Sequence, residues 1–373
     1  MPGSWIGTWM AASQLTEPGN LPPEPGFADT TLRQVVRVTL GGKQIRVVFS
    51  NEFGTELLTL TAARVARPGK NGAIEARTDT ALAFGGKASV TIPPGAMAVS
   101  DALPFALAPL SDVAVTLHTR TSSRLITGHP GSRCTSYLSA GSHVSEAALI
   151  RAVPVEHWYF LSRIEVPSVK GAGALVTLGD SLTDGRGSPT NGNGRWPDYL
   201  ARRLQANPAT RSVAVLNAGI GGNAVIRGGL GPTALKRLDR DVLSQPGARW
   251  LIVLEGINDL GGRSAGAPDL IAAYQQIIAR TKARGLRVYG ATILPCGESF
   301  YFTPELEAAR QEINWWIRSS KAFDAVIDSD VALRDPKDLS RLSAAALSPD
   351  HLHPSGLGYK VLADAVDLKL FTG

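Results

Sequence analysis

The stretch ALVTLGDSLTDG, residues 174–185, is the clearest indication of how the second half of this chain folds. Its first residues form an apolar run that stops at Gly179, which is typical of a strand buried on both faces in a parallel sheet. The next residues are small, polar and rich in glycine, and the amphipathic segment GRWPDYLARRLQAN begins at Gly194. We therefore expect Ser181 to lie in a turn between a strand and a helix, at the strand end where open α/β sheets bind ligands.

From residue 174 onward, strand-like and helix-like segments alternate to the end of the chain. The predicted strands are short apolar runs: Ala174–Leu178, Val213–Leu216, Trp250–Leu254, Arg287–Ile293 and Ala325–Ile327. The predicted helices are longer segments: Trp196–Ala206, Pro232–Leu243, Pro268–Ala283, Pro304–Ser319 and Ser355–Ala365. This alternation predicts βαβ units with right-handed crossovers, and hence a three-layer α/β/α domain.

The chain before residue 167 has a β texture and no helix-length periodic segment. Leu32–Leu40 and Gln44–Ser50 flank the residues Gly-Gly-Lys, a pattern that predicts a β-hairpin with a tight glycine turn. Further predicted strands follow at short spacing: Leu58–Arg67, Ala88–Ile92, Asp112–Thr119, Arg124–Gly128 and Trp158–Val166. Many short strands with turn signals between them indicate an antiparallel sandwich or jelly roll.

The flexible segment PSVKGAG, residues 167–173, separates these two patterns. A chain of 373 residues also exceeds what one hydrophobic core usually organises. We therefore predict two domains, a jelly-roll-like β-sandwich over residues 1–167 and an α/β domain over residues 168–373.

The composition indicates a soluble globular protein and argues against a nucleic-acid partner. Apolar residues make up 44% of the chain and charged residues 19%, as in ordinary soluble domains. The formal net charge is +6 at pH 7, but Lys and Arg are scattered and form no basic run. A mildly basic, solvated surface accounts for this charge, so we expect no binding of nucleic acid. The sequence leaves the oligomeric state open.

Two cysteines, Cys134 and Cys296, lie far apart in the sequence. They allow either one interdomain disulfide in an oxidising compartment or two buried free thiols. No further thiol lies near either of them to form a metal site, and we expect neither a metal nor another cofactor.

The amino-terminal sequence MPGSWIGTWMAAS has neither the basic start nor the apolar run of a secretory signal. No apolar segment reaches the roughly 18 residues that a membrane-spanning helix needs. We therefore expect no membrane span, and either a cytoplasmic protein or an exported one whose signal has been removed.

One loop carries residue types that can activate a nucleophile. In the sequence DHLH, residues 350–353, an Asp precedes a His by three residues, just before the last predicted helix. Asp350 can accept a hydrogen bond from one ring nitrogen of His353 while the other nitrogen faces a nucleophile, so the two residues can act as a base and the group that orients it. Two alternatives stay open: a surface loop with a capping Asp, and a metal site formed with His351.

Two further segments could stabilise negative charge on a substrate oxygen, as an oxyanion hole does. Asn258 follows the predicted strand Trp250–Leu254, and a carboxamide there can aim an N–H at a developing oxyanion. Gly222 follows another strand, in a run of glycines that allows close approach of backbone N–H groups, and the N–H of Ser181 is a further candidate donor. The alternatives are an Asx-turn at Asn258 and a tight turn at the glycines.

Together, four short blocks resemble the signature blocks of the GDSL, or SGNH, hydrolases. They occur in the family's order: GDSL at 179–182, NAGIGG at 217–222, GIND at 256–259 and DHLHP at 350–354. The second block has Gly221 where many relatives have serine. The resemblance implies a serine esterase on a flavodoxin-like sandwich. The residues that match the family's named positions are Ser181, Gly222, Asn258 and His353, with Asp350 completing the triad.

The opening WIGTW, residues 5–9, and the β texture after it resemble a subgroup of these hydrolases with a leading β-sandwich, often in exported bacterial proteins. The resemblance implies hydrolysis of carboxylic esters, with short acyl groups such as acetyl, including those on carbohydrates, as expected substrates. Lipase, lysophospholipase or arylesterase activity is the alternative within this class. The alternative of another class is a non-catalytic carbohydrate-binding protein.

A rival nucleophile is Ser264, in the sequence GRSAG at residues 262–266, which fits the G-x-S-x-G pattern. That pattern holds its serine directly at the end of a strand, whereas the nearest predicted strand ends at Leu254. Ser181 is therefore the preferred candidate.

A loose dinucleotide-binding fingerprint is formed by Gly219, Gly221 and Ala224, with Asp239 or Asp241 at the spacing of a ribose contact. These acids fall within a predicted helix instead of at the end of a second strand. The pattern therefore indicates a turn more strongly than a binding site for a nicotinamide cofactor.

Overall fold

The computed structural model describes residues 4–121 and 123–372 of the chain. Residues 1–3 lie outside these ranges, and they are the first residues of the amino-terminal segment MPGSWIGTWMAAS discussed above. The chain divides into one unit of Met1–Ser168 with Thr190–Asn193 and a second unit of Val169–Pro189 with Gly194–Gly373. The assignment of Thr190–Asn193 to the first unit is not indicated by any pattern in the sequence.

The first unit is built almost entirely from short antiparallel strands, because its sequence alternates apolar and polar residues between closely spaced turns. In chain order the strands are β1 (Trp5–Met10), β2 (Gln14–Leu15), β3 (Thr30–Arg37), β4 (Gly42–Ser50), β5 (Leu58–Ala66), β6 (Thr80–Ala81), β7 (Val90–Ile92), β8 (Met97–Val99), β9 (Leu103–Leu107), β10 (Asp112–Thr119), β11 (Thr127–His129), β12 (Ser136–Ala140), β13 (Val153–Val155), β14 (Trp158–Tyr159) and β15 (Leu161–Pro167). Short 3₁₀ turns occur at Pro18–Asn20 and Ala76–Thr78.

These strands form sheets of five, seven and three strands. The five-stranded sheet has the order β1-β15-β4-β8 with β9 also on β4, the seven-stranded sheet has β13-β12-β3-β10-β5-β6 with β7 also on β5, and the small sheet has β14-β11-β2. Strands β1 and β15 pair with Trp5 opposite Pro167, so the first and last strands of the unit lie side by side. The β-rich antiparallel arrangement is consistent with the predicted sandwich domain.

The predicted hairpin between β3 and β4 is wrong. β3 pairs with β10 and β12 in the seven-stranded sheet, whereas β4 pairs with β15, β8 and β9 in the five-stranded sheet. The favoured two-residue hairpin turns need positive φ, and among the described residues Gly41 and Gly42 are not at positive φ. The chain instead passes between sheets, where the Thr8 hydroxyl accepts hydrogen bonds from the N–H groups of Thr39 at 3.1 Å and Leu40 at 2.6 Å.

The second unit alternates strands and helices. In chain order its elements are β16 (Gly173–Gly179), α1 (Ser181–Asp184), α2 (Trp196–Ala206), β17 (Val213–Gly219), α3 (Ala234–Leu238), β18 (Ala248–Leu254), α4 (Ile257–Gly261), α5 (Ala267–Ala283), β19 (Arg287–Ala291), α6 (Pro304–Ser319), β20 (Ala325–Ile327), α7 (Ser329–Leu333) and α8 (Gly356–Asp364). A π-helical turn over Asp239–Leu243 follows α3, and a 3₁₀ turn covers Leu368–Phe371.

The five strands of the second unit form one parallel sheet in the order β17-β16-β18-β19-β20. This is the flavodoxin-like order 2-1-3-4-5. All seven residues of β16 are buried, as its largely apolar sequence predicts. Helix α2 packs against α8, and α5 packs against α3 and α6. The crossover from β16 to β17 runs across the sheet in the opposite direction to those from β17 to β18, β19 and β20. Because such crossovers are right-handed, the two groups of helices lie on opposite faces of the sheet. The predicted α/β/α fold is confirmed.

Three local features differ from the sequence prediction. Ser181 begins a helix of four residues instead of lying in a turn, and the short helices α4 and α7 were not predicted, because one turn is too short to show helical periodicity. The predicted helix Pro232–Leu243 ends its α-helical part at Leu238 and continues as a π-turn. The wider turn lets Leu238, Val242 and Leu243 all be buried.

The sequence left the state of the two cysteines open and predicted no membrane-spanning helix. Cys134 and Cys296 are both buried thiols that are not joined to each other in a disulfide, and burial raises the pKa of Cys296 to about 11. Within residues 4–121 and 123–372, no helix has the length and apolar character needed to cross a bilayer.

Candidate active site

Three neighbouring strands of the parallel sheet end at the same level. In the register of the sheet, Gly179 at the end of β16 lies opposite both Gly219 at the end of β17 and Leu254 at the end of β18. The predicted nucleophile and the two predicted oxyanion residues each follow one of these ends within four residues. The topology therefore gathers them at one edge of the sheet.

Ser181 is the first residue of α1 and is 7% exposed. The Asp180 carboxylate caps this helix by accepting a hydrogen bond from a first-turn N–H at 2.9 Å, and the helix ends at Gly185, which has a φ of 86°. The helix packs so closely on β17 that a Cβ at Gly219 would lie 2.3 Å from the backbone nitrogen of Asp184. The cap and the glycine contact thus hold the Ser181 side chain at the edge of the sheet.

Ser181, His353 and Asp350 meet although they are far apart in the sequence. Oγ of Ser181 lies 2.8 Å from Nε2 of His353, and Nδ1 of His353 lies 2.7 Å from Oδ2 of Asp350. An ionised carboxylate only accepts hydrogen bonds, so Nδ1 carries the ring proton and donates it to Asp350 in a hydrogen bond, which leaves Nε2 as the acceptor for the serine hydroxyl. In this arrangement an imidazole can remove the proton of a serine.

The Asp350 carboxylate is held by four hydrogen bonds. It accepts at 3.1 Å and 3.0 Å from the backbone N–H groups of Leu352 and His353, at 2.8 Å from the hydroxyl of Ser348, and from the His353 ring. Burial alone would raise the pKa of Asp350, but these hydrogen bonds hold it well below its usual value. The carboxylate therefore stays ionised. Ser348 was missed in the sequence, where a hydroxyl two residues before a candidate Asp is the signal that could have found it.

Asn258 lies on α4, and its carboxamide is held at both ends. Its Nδ2 donates to the carbonyl of Asn223 at 2.8 Å, and its Oδ1 accepts from the hydroxyl of Tyr301 at 2.9 Å. A carboxamide nitrogen carries two N–H bonds, so one remains for another acceptor. Tyr301 was not singled out in the sequence, because its loop lies more than forty residues from Asn258.

Gly222 has a φ of 69°, in the left-handed region that favours glycine. Its N–H, like that of Ser181, finds no acceptor in the part of the chain that the structure describes. The half-exposed side chain of Leu230 lies against it, because a Cβ at Gly222 would be 3.2 Å from Leu230. The N–H of Leu230 donates to the Gly222 carbonyl at 2.9 Å, which holds this contact in place.

Buried ionisable groups lie next to the strand ends. The Arg237 guanidinium, 1% exposed, donates to the carbonyls of Gly179 at 3.0 Å and Ala218 at 2.6 Å. Burial raises the pKa of Asp180 to about 7 and that of Glu255 to about 8. These carboxyl groups therefore titrate near neutral pH.

The ion pair between Arg237 and Glu255 is weaker than its distance suggests. The nearest guanidinium nitrogen lies 3.7 Å from a Glu255 oxygen, but among the described residues neither carboxylate oxygen of Glu255 has a hydrogen-bond partner. The guanidinium instead donates to backbone carbonyls, to Asn223 and to Asp241. The effect of burial on the pKa of Glu255 consequently outweighs the opposing effect of the Arg237 charge, and Glu255 is mostly protonated at pH 7.

The rival candidate residues have other contacts. The Ser264 hydroxyl donates to the carbonyl of Asp259 at 3.3 Å. Asp239 pairs with Arg280 at 2.7 Å, and Asp241 pairs with Arg237 at 3.1 Å. Asp239 and Asp241 thus each form an ion pair with an arginine of the second unit.

The metal-site alternative involved His351, which lies in the loop of the proposed triad, between Asp350 and His353. Its Nδ1 is 3.0 Å from Oε2 of Glu298, whereas His353 faces Ser181. Over the described ranges, no group of three or more His, Cys, Asp and Glu side chains is arranged to hold a metal ion.

Comparison with solved structures finds G-D-S-L proteins. A mutant of an acetyl-xylooligosaccharide esterase from Geobacillus Stearmophilus is 23% identical, with 53% of this chain and 94% of that chain covered and a TM-score of 0.41. A GDSL-like lipase from Bacteroides thetaiotaomicron is 17% identical, with 53% and 87% covered and a TM-score of 0.40. A member of the lipolytic protein G-D-S-L family from Veillonella parvula is 18% identical, with 52% and 96% covered and a TM-score of 0.42.

Comparison with protein-family models matches residues 177–361 to the GDSL-like Lipase/Acylhydrolase family. A search of curated proteins found no match. The matched range begins in β16 and ends in α8, so it includes all four sequence blocks and the strand ends around Ser181. The match supports an ester-hydrolysing enzyme. Residues 177–361 are therefore a domain of the GDSL-like lipase/acylhydrolase type.

Proposed function

We propose that this protein hydrolyses carboxylic esters through a covalent acyl-enzyme on Ser181. The supporting observation is the chain of hydrogen bonds from Ser181 to His353 to Asp350, with distances of 2.8 Å and 2.7 Å. His353 takes the hydroxyl proton as Oγ attacks the ester carbonyl, and Asp350 stabilises the resulting imidazolium.

The remaining steps return the enzyme to its starting state. The tetrahedral intermediate breaks its carbon–oxygen bond to the alcohol, which leaves with the proton from His353. A water molecule then adds to the acyl-enzyme while His353 takes its proton. The second intermediate releases the carboxylic acid, and Ser181 regains its proton from His353.

The negative oxygen of both intermediates needs donors that are already in position. We propose the backbone N–H groups of Ser181 and Gly222 and the remaining N–H of Asn258. The strand register that brings their three loops to one sheet edge supports this assignment. Losing one such donor typically lowers turnover by about 10²–10³.

We further propose that the substrates are short acyl esters, above all acetyl esters, including those of carbohydrates. Leu230 lies against the backbone of Gly222, so bulk beside the proposed oxyanion donor favours a small acyl group. The alternative of a lipase-type or arylesterase activity would need room for a longer or aromatic group at this position.

Hydrolysis of p-nitrophenyl acetate by the whole chain tests the proposed activity. We expect the wild type to release p-nitrophenol and Ser181→Ala to lose that activity, because the nucleophile is removed. Ser264→Ala is the matched control and should keep the wild-type rate. Loss of activity in Ser264→Ala with retention in Ser181→Ala would reverse the assignment, and an inactive wild type would favour a binding protein.

The same assay with longer acyl esters and with acetylated glycans tests the substrate. We expect kcat/KM to fall as the acyl chain grows and acetylated glycans to be deacetylated. A preference for long acyl chains would contradict this part of the proposal and support a lipase.

A further inference from the structure

The Asn258 carboxamide has its orientation set by two partners on opposite atoms. The Tyr301 hydroxyl donates to Oδ1 at 2.9 Å, and Nδ2 donates to the Asn223 carbonyl at 2.8 Å. A hydroxyl that faces Oδ1 and a carbonyl that faces Nδ2 exclude the flipped amide. The second N–H of Nδ2 consequently has one defined direction.

Tyr301 is itself held tightly by the helix that carries Asn258. Its ring lies so close to the backbone of α4 that a Cβ at Gly261 would be 2.4 Å from the ring. The neighbouring ring of Phe300 lies with its centroid 4.4 Å from that of Tyr301. The phenol is therefore positioned by packing as well as by its hydrogen bond.

The loop that carries Tyr301, between β19 and α6, also reaches the triad loop. Glu298 of this loop has Oε2 at 3.0 Å from Nδ1 of His351 and Oε1 at 3.0 Å from Arg341. His351 lies between Asp350 and His353 in the sequence. One loop thus contacts both the proposed oxyanion carboxamide and the loop of the proposed triad.

The phenol of Tyr301 remains a donor over the working range of a serine hydrolase. Burial, and then the charge of Asp180, raises its pKa above the usual value of 10.0. A neutral phenol that donates to Oδ1 also draws electron density from the amide nitrogen, and chains of hydrogen bonds strengthen one another in this way.

We propose that Tyr301 is a positioning residue for the oxyanion hole: its hydroxyl orients and polarises the Asn258 carboxamide so that the free N–H meets the developing oxyanion. The inference rests on the proposed function, since it assumes that Asn258 is an oxyanion donor. Tyr301 acts through Asn258 and takes no proton from the substrate.

The test compares Tyr301→Phe with Tyr289→Phe in the whole chain, using p-nitrophenyl acetate. Tyr289→Phe is a matched control, because it also removes a phenol that donates to a protein oxygen, the Leu370 carbonyl at 2.7 Å. We expect Tyr301→Phe to lower kcat about 10-fold with KM changed by less than about 2-fold, since only transition-state stabilisation is lost. Tyr289→Phe should keep the wild-type kcat. Melting curves confirm that both variants are folded at the assay temperature.

A double-mutant cycle separates positioning from general packing. We expect Tyr301→Phe to have no further effect on kcat when it is added to Asn258→Ala, because its target is already gone. An equal loss in both backgrounds would overturn the inference, and so would an unchanged kcat in Tyr301→Phe beside a crippled Asn258→Ala. If Asn258→Ala alone keeps the wild-type kcat, the proposed oxyanion role of Asn258 fails, which is a separate result.

Discussion

The Asp350 carboxylate shows how a partly exposed residue can be held in one orientation. Its side chain is 39% exposed, yet Oδ1 accepts from two backbone N–H groups and a hydroxyl, which leaves Oδ2 to face the His353 ring. The loop backbone thus determines which oxygen meets the imidazole. The consequence is that the ring can be oriented without deep burial of a charge.

Asp350→Asn should lower kcat on p-nitrophenyl acetate by on the order of 10³–10⁴ with the fold intact. The amide oxygen can still accept from the loop N–H groups, but an amide nitrogen facing Nδ1 would favour the tautomer that protonates Nε2. Asp364→Asn is the control, because Asp364 forms an exposed pair with Lys360 on α8. A kcat in Asp350→Asn close to that of Asp364→Asn would contradict the assigned role.

At the scale of elements, the four-residue helix α1 depends on its surroundings for stability. A single helical turn is unstable in isolation, because the conformational entropy lost in fixing its backbone outweighs the free energy of its one hydrogen bond. Here Asp180 caps the start, Gly185 in the left-handed conformation ends it, and Gly219 of β17 allows close packing. The position of Ser181 thus depends on a glycine of the neighbouring strand β17 as well as on the helix and its two caps.

Gly219→Ala should displace α1 and lower both stability and activity. The added methyl group would lie 2.3 Å from the Asp184 nitrogen, and overpacking of this kind typically costs about 1–3 kcal/mol. Urea unfolding and the ester assay measure the two effects. Gly356→Ala is the matched control, because a Cβ there meets nothing within 4 Å. Equal stability and activity in the two variants would show that the contact at Gly219 is not needed.

At the scale of the whole molecule, a group buried beside the site makes global stability depend on pH. Glu255 has its pKa raised from 4.5 to about 8 by burial. Between these values the unfolded chain has released this proton while the folded protein keeps it. The free energy of unfolding therefore falls as pH rises through this range, by up to about 1.4 kcal/mol per pH unit for one proton, and levels off above the folded pKa.

Glu255→Gln should remove this share of the pH dependence. We expect the free energy of unfolding of the variant to fall less than that of the wild type between pH 5 and pH 8, about the range set by the two pKa values. Urea titrations at several pH values measure it. Glu312→Gln, at an exposed position on α6, serves as control and should keep the wild-type slope. Parallel curves for wild type and Glu255→Gln would mean that Glu255 is already ionised in the folded state.

The α/β unit and the candidate residues of its site could be predicted from the amino-acid sequence alone. Helices Trp196–Ala206 and Pro304–Ser319 begin and end where the sequence predicts, because amphipathic periodicity and caps are properties of neighbouring residues. The ordered sequence blocks predicted the family, and they named Ser181, Asp350 and His353 before any distance between them was available.

The partners of these elements and residues became known from the three-dimensional arrangement and could not be predicted from the sequence. The strands β3 and β4 are adjacent in the sequence but pair in different sheets. The hydroxyl of Tyr301 on Asn258 and the burial that raises the pKa of Glu255 likewise come from packing within the fold. Strand pairing, distant hydrogen bonds and desolvation depend on which remote segments meet, and local periodicity carries no information about that.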